Sequence, residues 1–268
     1  MDDALVYRFA DKVMLVVNAS NIAKDWAHVS RFVPRFDITL TDVSDTTGLL
    51  ALQGPKAQQI LQPLTKADLE PLGYYRFTTG EVAGVPCVIS RTGYTGEDGF
   101  ELYHRPEHSK PLWDALTANR GVTLAGLGCR DSLRLEVAYP LYGNDIDDQT
   151  TPFEAGLGWI VKMKKDDFVG KAALAEQKAK GLGRKLVGFK LTEKGFPRQH
   201  MPVLVEGAAF GEVRSGTVSP STGEAIGTCY LPLARSAVGT GFAIDIRGKP
   251  VGAEVVATPF WTRGSKRT

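Results

Sequence analysis

Cysteine, histidine and long apolar runs are all scarce in this 268-residue chain. Its three cysteines lie far apart without CxxC spacing, so we expect reduced core thiols and a cytoplasmic protein. No apolar run approaches the roughly 20 residues that a membrane-spanning helix needs, and we expect no membrane association. The formal net charge of +2 argues against a nucleic-acid binder that works by neutralising phosphates.

Motifs of common catalytic and metal centres are also missing. The four histidines have no metal-ligand spacing. His104 and His108 lie four residues apart, but Pro106 between them disfavours the helix that such a ligand pair needs. The chain has no GxSxG motif and no Cys–His signature. We therefore expect no metal and interpret the histidines as structural.

Apolar periodicity predicts a mixed α/β region in the first part of the chain. In chain order, the predicted elements are a buried strand over 12–17, a helix over 22–33, strands over 36–41 and 49–53, a helix opening at Gly54-Pro55, and a strand over 74–79. This β-α-β-β-α-β order matches the split ferredoxin-like motif.

The remaining pattern predicts a second, β-rich domain. First come a hairpin over 81–91 that turns at Ala83-Gly84, a strand over 100–103, and helices over 111–119 and 127–137. Residues 166–183 are rich in Lys, Ala and Gly and are predicted to be a linker. Short strands separated by turns then predict a small antiparallel barrel or sandwich. The predicted domains are therefore 1–165 and 184–262.

Three features could carry chemistry, although each has an ordinary structural explanation. The glycine loop Gly93–Gly99 has neither GxGxxG nor GxxxxGK[ST] spacing, so a tight turn is the simpler interpretation. Glu101 lies on a strand, where a carboxylate is usually just solvated. Arg130 could pair with a neighbouring carboxylate at little net benefit. Composition and spacing alone stop at a multi-domain protein with mixed α/β and β regions.

Longer motifs point further. They are Leu50–Lys56 (LALQGPK), Ser90–Leu102 (SRTGYTGEDGFEL), Gly126–Glu136 (GLGCRDSLRLE), Leu141–Asp145 (LYGND), Thr151–Trp159 (TPFEAGLGW), Ser215–Pro220 (SGTVSP) and Pro259-Phe260. Together, and in this order, they resemble the glycine cleavage T-protein family of aminomethyltransferases. The resemblance runs through essentially the whole chain.

The resemblance implies both a fold and a function. The fold would be α+β and three-lobed, with a ferredoxin-like α/β region and a C-terminal antiparallel β-barrel. The function would be aminomethyl transfer in the glycine cleavage system. The methylene of an aminomethyl group on lipoylated H-protein would pass to tetrahydrofolate, with release of ammonia. Tetrahydrofolate would be a substrate and H-protein the partner, with no metal, nucleic acid or membrane involved.

The same resemblance assigns roles to individual residues. Asp3 matches the family's catalytic aspartate and Asn18 the asparagine of the following strand. Tyr94 and Glu101 match the tyrosine and glutamate around the glycine loop, and Arg130 matches the substrate-binding arginine. Glu101 would accept from the adjacent N–H donors of a pterin. Arg130 would donate to the ring carbonyl, Tyr94 would lie against the flat ring, and Asp3 would orient the folate amine.

Two departures from the family pattern produce further expectations. The family has a sizeable segment before the position of Asp2, whereas this chain begins inside the first active-site motif. We expect a misassigned start, a truncated gene or completion by another chain, and poor turnover by this chain alone. In the C-terminal tail, family members often carry a tyrosine that approaches the substrate. This chain has none there, so either Trp261 takes its place or the contact is lost.

Alternative functions within the superfamily remain open at this point. A folate-dependent demethylase or the folate domain of a fused dehydrogenase would share the scaffold. An assembly-type folate-binding protein without turnover is expected to carry a Lys-Gly-Cys-Tyr motif, and the sequence lacks it. An inactive, truncated member of the family is the last alternative.

Overall fold

The computed structural model describes residues 2–265. Its strands are β1 Leu5–Arg8, β2 Val13–Val16, β3 Gly48–Gln53, β4 Phe77–Val82, β5 Val85–Ser90, β6 Gly99–His104, β7 Arg184–Leu191, β8 Pro202–Val205, β9 Ala208–Val218, β10 Ala225–Pro232, β11 Gly241–Ile246 and β12 Lys249–Val256. Its α-helices are α1 Ile22–Ser30, α2 Ala57–Leu61, α3 Ser109–Thr117, α4 Leu127–Glu136 and α5 Lys171–Lys180.

These elements belong to two compact units. We call the first the barrel unit; it comprises residues 2–25 and Leu135–Trp261. We call the second the sheet unit; it comprises Trp26–Arg134 and, among the described residues, 262–265. Helices α1 and α4 each contribute residues to both units. Each unit is therefore built from segments that are distant in sequence.

A closed antiparallel barrel dominates the barrel unit. Its strand order is β10-β7-β12-β11-β8-β9. Side chains of a strand alternate between the two faces of a sheet, and the residues pointing inward form the core. Its fully enclosed members include Phe189, Val203, Val213 and Leu231. The C-terminal antiparallel barrel expected from the sequence is confirmed.

Two buried carboxylates bind the segments that precede the barrel to strands β9 and β10 and to the turn between them. Asp145 is enclosed and accepts hydrogen bonds from Leu141 N at 2.9 Å, Ser215 Oγ at 2.8 Å and Thr228 Oγ1. Glu136, at the end of α4, accepts from Ser221 N and Ser221 Oγ, each at 2.8 Å. A buried carboxylate is tolerated only when donors surround it. These two acids are therefore structural.

An antiparallel sheet in the order β3-β6-β5-β4 forms the centre of the sheet unit. Helix α2 packs on β6, and α3 packs on β3. The enclosed core includes Leu61, Ile89, Phe100 and Leu112. Ala83 and Gly84 both have positive φ, at 50° and 79°, which suits the tight hairpin turn between β4 and β5. The mixed α/β character and the predicted turn are confirmed.

Several local predictions are wrong. No strand forms over 36–41, because Phe36 and Ile38 are 63% and 57% exposed and no burial supports their alternation. The strand within 12–17 forms, but among residues 2–265 it pairs only with β1, and Val13 is left 61% exposed. The four-stranded sheet therefore uses neither segment.

Two smaller expectations also need correction. The predicted linker over 166–183 contains helix α5, which lies between Gly170 and Gly181, both with positive φ. Cys87 and Cys229 are core thiols, and burial raises the pKa of each, that of Cys87 to about 11. Cys129, in contrast, is exposed at the start of α4.

The barrel depends on a glycine where two strands and an aromatic ring meet. A Cβ placed on Gly227 would lie 2.6 Å from the carbonyl oxygen of Ser215 and 2.5 Å from Phe189 Cζ. We predict that Gly227→Ala lowers the free energy of unfolding by about 1–3 kcal/mol, because the neighbouring strand cannot yield freely. Gly211, on β9, would meet nothing within 4 Å.

Gly211→Ala is therefore the matched control, and we expect its free energy of unfolding to stay within roughly 0.5 kcal/mol of wild type. Urea denaturation of both variants measures the difference. Equal stabilities of the two variants would contradict this account of barrel packing.

Candidate functional site

The side chain of Gln53 packs against both ends of the glycine loop. A Cβ on Gly93 would lie 1.8 Å from Gln53 Oε1, and one on Gly99 would lie 2.5 Å from Gln53 Cδ. Gln53 Nε2 donates to Thr92 O at 3.1 Å, and its Oε1 accepts from Thr95 Oγ1 at 3.2 Å. Glycines are therefore needed at both ends of the loop to admit this amide.

A buried ion pair holds the end of the glycine loop against neighbouring segments of the sheet unit. Arg91 and Asp98 are 0% and 7% exposed at their side chains. Arg91 Nε and Nη2 donate to the two Asp98 oxygens at 2.8 and 2.7 Å. The other guanidinium donors reach Leu69 O and Leu72 O, each at 2.9 Å, and Gln58 Oε1 at 2.6 Å. All five donors of the guanidinium are thus used, as a buried arginine requires.

Two of the predicted site residues meet beside this loop. The guanidinium carbon of Arg130, on α4, lies 4.6 Å from the centre of the Tyr94 ring. A cation over an aromatic face at this distance is attracted by the ring quadrupole. Arg130 is exposed and Tyr94 is half-buried. Both side chains thus present polar and π surface to solvent from the sheet unit.

Glu101 lies on β6 of the same unit, half-buried and directly opposite Ser90 on β5. Its carboxylate accepts a hydrogen bond from Thr92 Oγ1. The same hydroxyl lies 2.9 Å from Ser90 Oγ. These contacts orient the carboxylate at the entrance to the glycine loop. The convergence of Glu101 with Tyr94 and Arg130 on one ligand stays a prediction.

The other predicted residues lie in the barrel unit. Asn18 Nδ2 donates to Asp3 Oδ1 and to Asp2 Oδ1, each at 2.8 Å. Asp2 also accepts from Asn18 N at 3.1 Å and from Asn21 Nδ2 at 2.7 Å. Asp2 is thus an anchor for the start of the chain, and Asp3 is exposed beside it. The resemblance pointed to Asp3 and to Asn18 separately, but not to the anchoring role of Asp2.

Asp25, on α1, completes this acidic group and was not predicted. Its carboxyl is hydrogen-bonded to that of Asp2, which requires one shared proton. Burial, this hydrogen bond and the negative charge of Asp2 raise the pKa of Asp25 to about 6. Burial alone would raise the pKa of Asp2. Its hydrogen bonds from Asp25, Asn18 and Asn21 outweigh this and hold that pKa below its usual range.

Trp261 stands at the end of the barrel unit. Its backbone N–H donates to Glu136 O at 2.8 Å, and its side chain is half-buried. This contact ties the residue to the end of α4. The role of the Trp261 side chain toward a substrate stays a prediction.

Residues 2–265 lack two features that would indicate other kinds of site. No three side chains of His, Cys, Asp or Glu are grouped so that they could hold a metal ion. No helix in this part of the chain has the length and apolar character needed to cross a membrane.

Comparison with known protein families matches nearly the whole chain. Residues 1–165 match the model of the GCVT N-terminal domain. Residues 184–261 match that of the glycine cleavage T-protein C-terminal barrel domain. The two matches together extend across both units.

Individual relatives agree with these matches. An aminomethyltransferase of Desulfitobacterium hafniense (strain DSM 10664 / DCB-2) is 46% identical over 267 residues, which are 98% of this chain and 73% of the relative. One of Porphyromonas gingivalis (strain ATCC 33277) is 48% identical over 268 residues, with 97% and 74% covered. The crystal structure of glycine cleavage system aminomethyltransferase T from Bartonella henselae superposes with a TM-score of 0.90 at 34% identity. It covers 100% of this chain, which spans 73% of that protein.

The Asp2–Asp25 pair predicts a pH dependence of stability. A folded-state pKa of about 6 for Asp25, above the ordinary value for an aspartate, means that the folded protein holds this proton more tightly than the unfolded chain does. The resulting stability is complete below the unfolded pKa and is lost as the pH rises through the folded pKa. We predict that Asp25→Asn, which keeps an N–H donor toward Asp2 at every pH, removes this loss.

Melting temperatures measured between pH 5 and pH 7.5 test the prediction. Wild type should fall relative to Asp25→Asn by roughly 2–4 °C over this window. Asp37→Asn, which removes an exposed charge, should follow wild type. Parallel curves for wild type and Asp25→Asn would mean that the Asp25 proton is not held by the fold.

Proposed function

The chain belongs to the glycine cleavage T-protein family and is an aminomethyltransferase, and we propose that tetrahydrofolate is its acceptor. The donor would be an aminomethyl group carried on the lipoyl arm of H-protein. In the overall reaction two folate nitrogens form bonds to the methylene carbon. The bonds from that carbon to the amine nitrogen and to the lipoyl sulfur break. The two folate N–H protons end on ammonia and on the lipoyl thiol, and methylenetetrahydrofolate leaves.

The sheet unit supplies groups that fit a pterin ring. The observation that carries the proposal is the cation–π pair of Arg130 and Tyr94 in the same unit as Glu101. A pterin presents an N–H and an exocyclic amine side by side, and an ionised carboxylate can accept from both. Arg130 offers planar donors for the ring carbonyl, and Tyr94 offers an aromatic face. Glu101, already oriented by Thr92, is the specificity residue in this proposal.

The catalytic carboxylate in this proposal is Asp3, which belongs to the barrel unit. Asp3 is exposed, and Asn18 fixes one of its oxygens. Positive charge develops on the folate nitrogen as it attacks the methylene carbon, and a carboxylate held nearby stabilises that charge. We therefore assign to Asp3 the orientation of the folate amine and the stabilisation of this charge. Asn18 holds Asp3 in place, and Asp2 in turn accepts a hydrogen bond from Asn18.

The setting of the reaction follows from the same proposal. A lipoylated H-protein would be the protein partner, and no metal is required for the bond changes described. The free thiols of Cys87, Cys129 and Cys229 fit a reducing compartment such as the cytoplasm.

A transfer assay with aminomethyl-lipoyl H-protein and tetrahydrofolate tests the function directly. Release of ammonia without folate-dependent formation of methylenetetrahydrofolate would refute the acceptor assignment.

Glu101→Gln tests the folate-binding part of the proposal. The amide places donors where two acceptors are needed, and a mismatched polar group costs about 1–3 kcal/mol. We expect the Kd for tetrahydrofolate, measured by calorimetry, to rise by roughly 5- to 150-fold. Glu81→Gln, an exposed position on β4 of the same sheet, should bind as wild type does. Equal affinities of the two variants for tetrahydrofolate would contradict the assignment of Glu101 to the folate site.

Asp3→Asn tests the catalytic part. The variant keeps an oxygen to accept from Asn18 but loses the negative charge, so kcat should fall roughly 10²-fold. The Kd for tetrahydrofolate should change little, because the affinity is assigned to the sheet unit. Asp11→Asn is the matched control, an exposed acid in the turn of the same hairpin. A kcat for Asp3→Asn equal to that of the control would contradict the role of Asp3.

A further inference from the structure

The C-terminal tail, residues 262–265, returns to the sheet unit and binds the glycine loop. Ser265 N donates to Glu97 Oε2 at 2.8 Å, and Ser265 Oγ donates to the same oxygen. Asp98 N donates to Ser265 Oγ at 3.1 Å. The hydroxyl therefore uses its one donor and one of its acceptor positions on two consecutive loop residues.

Gly264 allows this approach. A Cβ on Gly264 would lie 2.2 Å from the carbonyl oxygen of Gly96 and 3.1 Å from its carbonyl carbon. These are backbone atoms of the loop, which cannot rotate away as a flexible side chain can. Gly96 itself has a φ of 73°, a conformation that favours glycine. Two glycines thus face each other where the tail crosses the loop.

The bound loop is the one that carries Tyr94. On one side, Asp98 is held by the buried Arg91. On the other, Glu97 N donates to Thr95 Oγ1 at 3.2 Å, and Thr95 Oγ1 in turn bonds Gln53 Oε1. The tail adds its bonds at the same two residues, on the Glu97 carboxylate and on the Asp98 N–H. Without the tail, Glu97 would lose both hydrogen bonds that its side chain accepts from Ser265, and the Asp98 N–H would lose the Ser265 hydroxyl.

We propose that the tail is a latch that fixes the glycine loop, and that Ser265 is a positioning residue for folate binding through Tyr94. This inference rests on the proposed function, because it takes Tyr94 to be a folate contact. The preformed loop would spare the ordering cost that a mobile loop adds to each binding event. The bound tail would therefore raise folate affinity without entering the chemistry.

The test uses the full chain and three variants. Ser265→Ala removes the hydroxyl bonds, Ser265→Thr keeps a hydroxyl, and Ser236→Ala is a control that loses only a local bond to Leu233 O. Hydrogen exchange of the ligand-free protein reports on the loop amides, above all those of Glu97 and Asp98. Calorimetry with tetrahydrofolate and steady-state transfer kinetics report on binding and turnover.

Ser265→Ala should exchange its loop amides roughly tenfold faster, with unchanged exchange in the barrel strands. Its Kd and KM for tetrahydrofolate should rise roughly tenfold while kcat stays within about twofold. Ser265→Thr should behave much more like wild type in both loop exchange and tetrahydrofolate affinity.

Unchanged loop exchange in Ser265→Ala would overturn the latch. Faster exchange with unchanged folate affinity would overturn the positioning role. If wild type binds no tetrahydrofolate, the proposed function fails; the exchange result then decides by itself whether the tail holds the loop.

Discussion

The ion pair of Arg91 and Asp98 is the contact on which the candidate folate site depends. Both side chains are shut away from solvent, where an unmatched charge is very costly. The guanidinium is satisfied only because Leu69 O, Leu72 O and Gln58 Oε1 accept its remaining donors. Arg91 therefore joins the segment at Leu69 and Leu72, helix α2 and the end of the glycine loop. Tyr94 lies in the loop that this ion pair holds in place, and the hydrogen bonds from the C-terminal tail are made to the same loop.

The barrel unit follows the same rule with different groups. Glu136 and Asp145 are enclosed and surrounded by donors, so their charge serves the fold. Asp2 is an anchor with amide donors, and its neighbour Asp25 remains protonated to a higher pH than an ordinary aspartate. Asp3 differs from all four because it is held by Asn18 and yet exposed. That combination of fixed position and solvent access is what a carboxylate that acts on a substrate needs.

Much of this architecture could be predicted from sequence where a local pattern coincides with burial. The Ala83-Gly84 turn, strand β3 and helices α3 and α4 follow from such patterns. The strand expected over 36–41 failed because its alternating apolar residues find no partner sheet. Helix α5 could have been found from its Ala- and Lys-rich sequence between Gly170 and Gly181.

The parts of the site that escaped prediction depend on contacts between distant segments. The resemblance gave Tyr94, Glu101 and Arg130, but no pattern in the sequence relates Ser265 to Glu97, or Asp25 to Asp2.

Folate binding by the sheet unit is the central proposal. A crystal structure of this protein with tetrahydrofolate tests it most directly. We expect Glu101 to accept from the pterin donors and the pterin ring to lie against Tyr94 and Arg130; a folate that contacts none of these three residues would contradict this assignment.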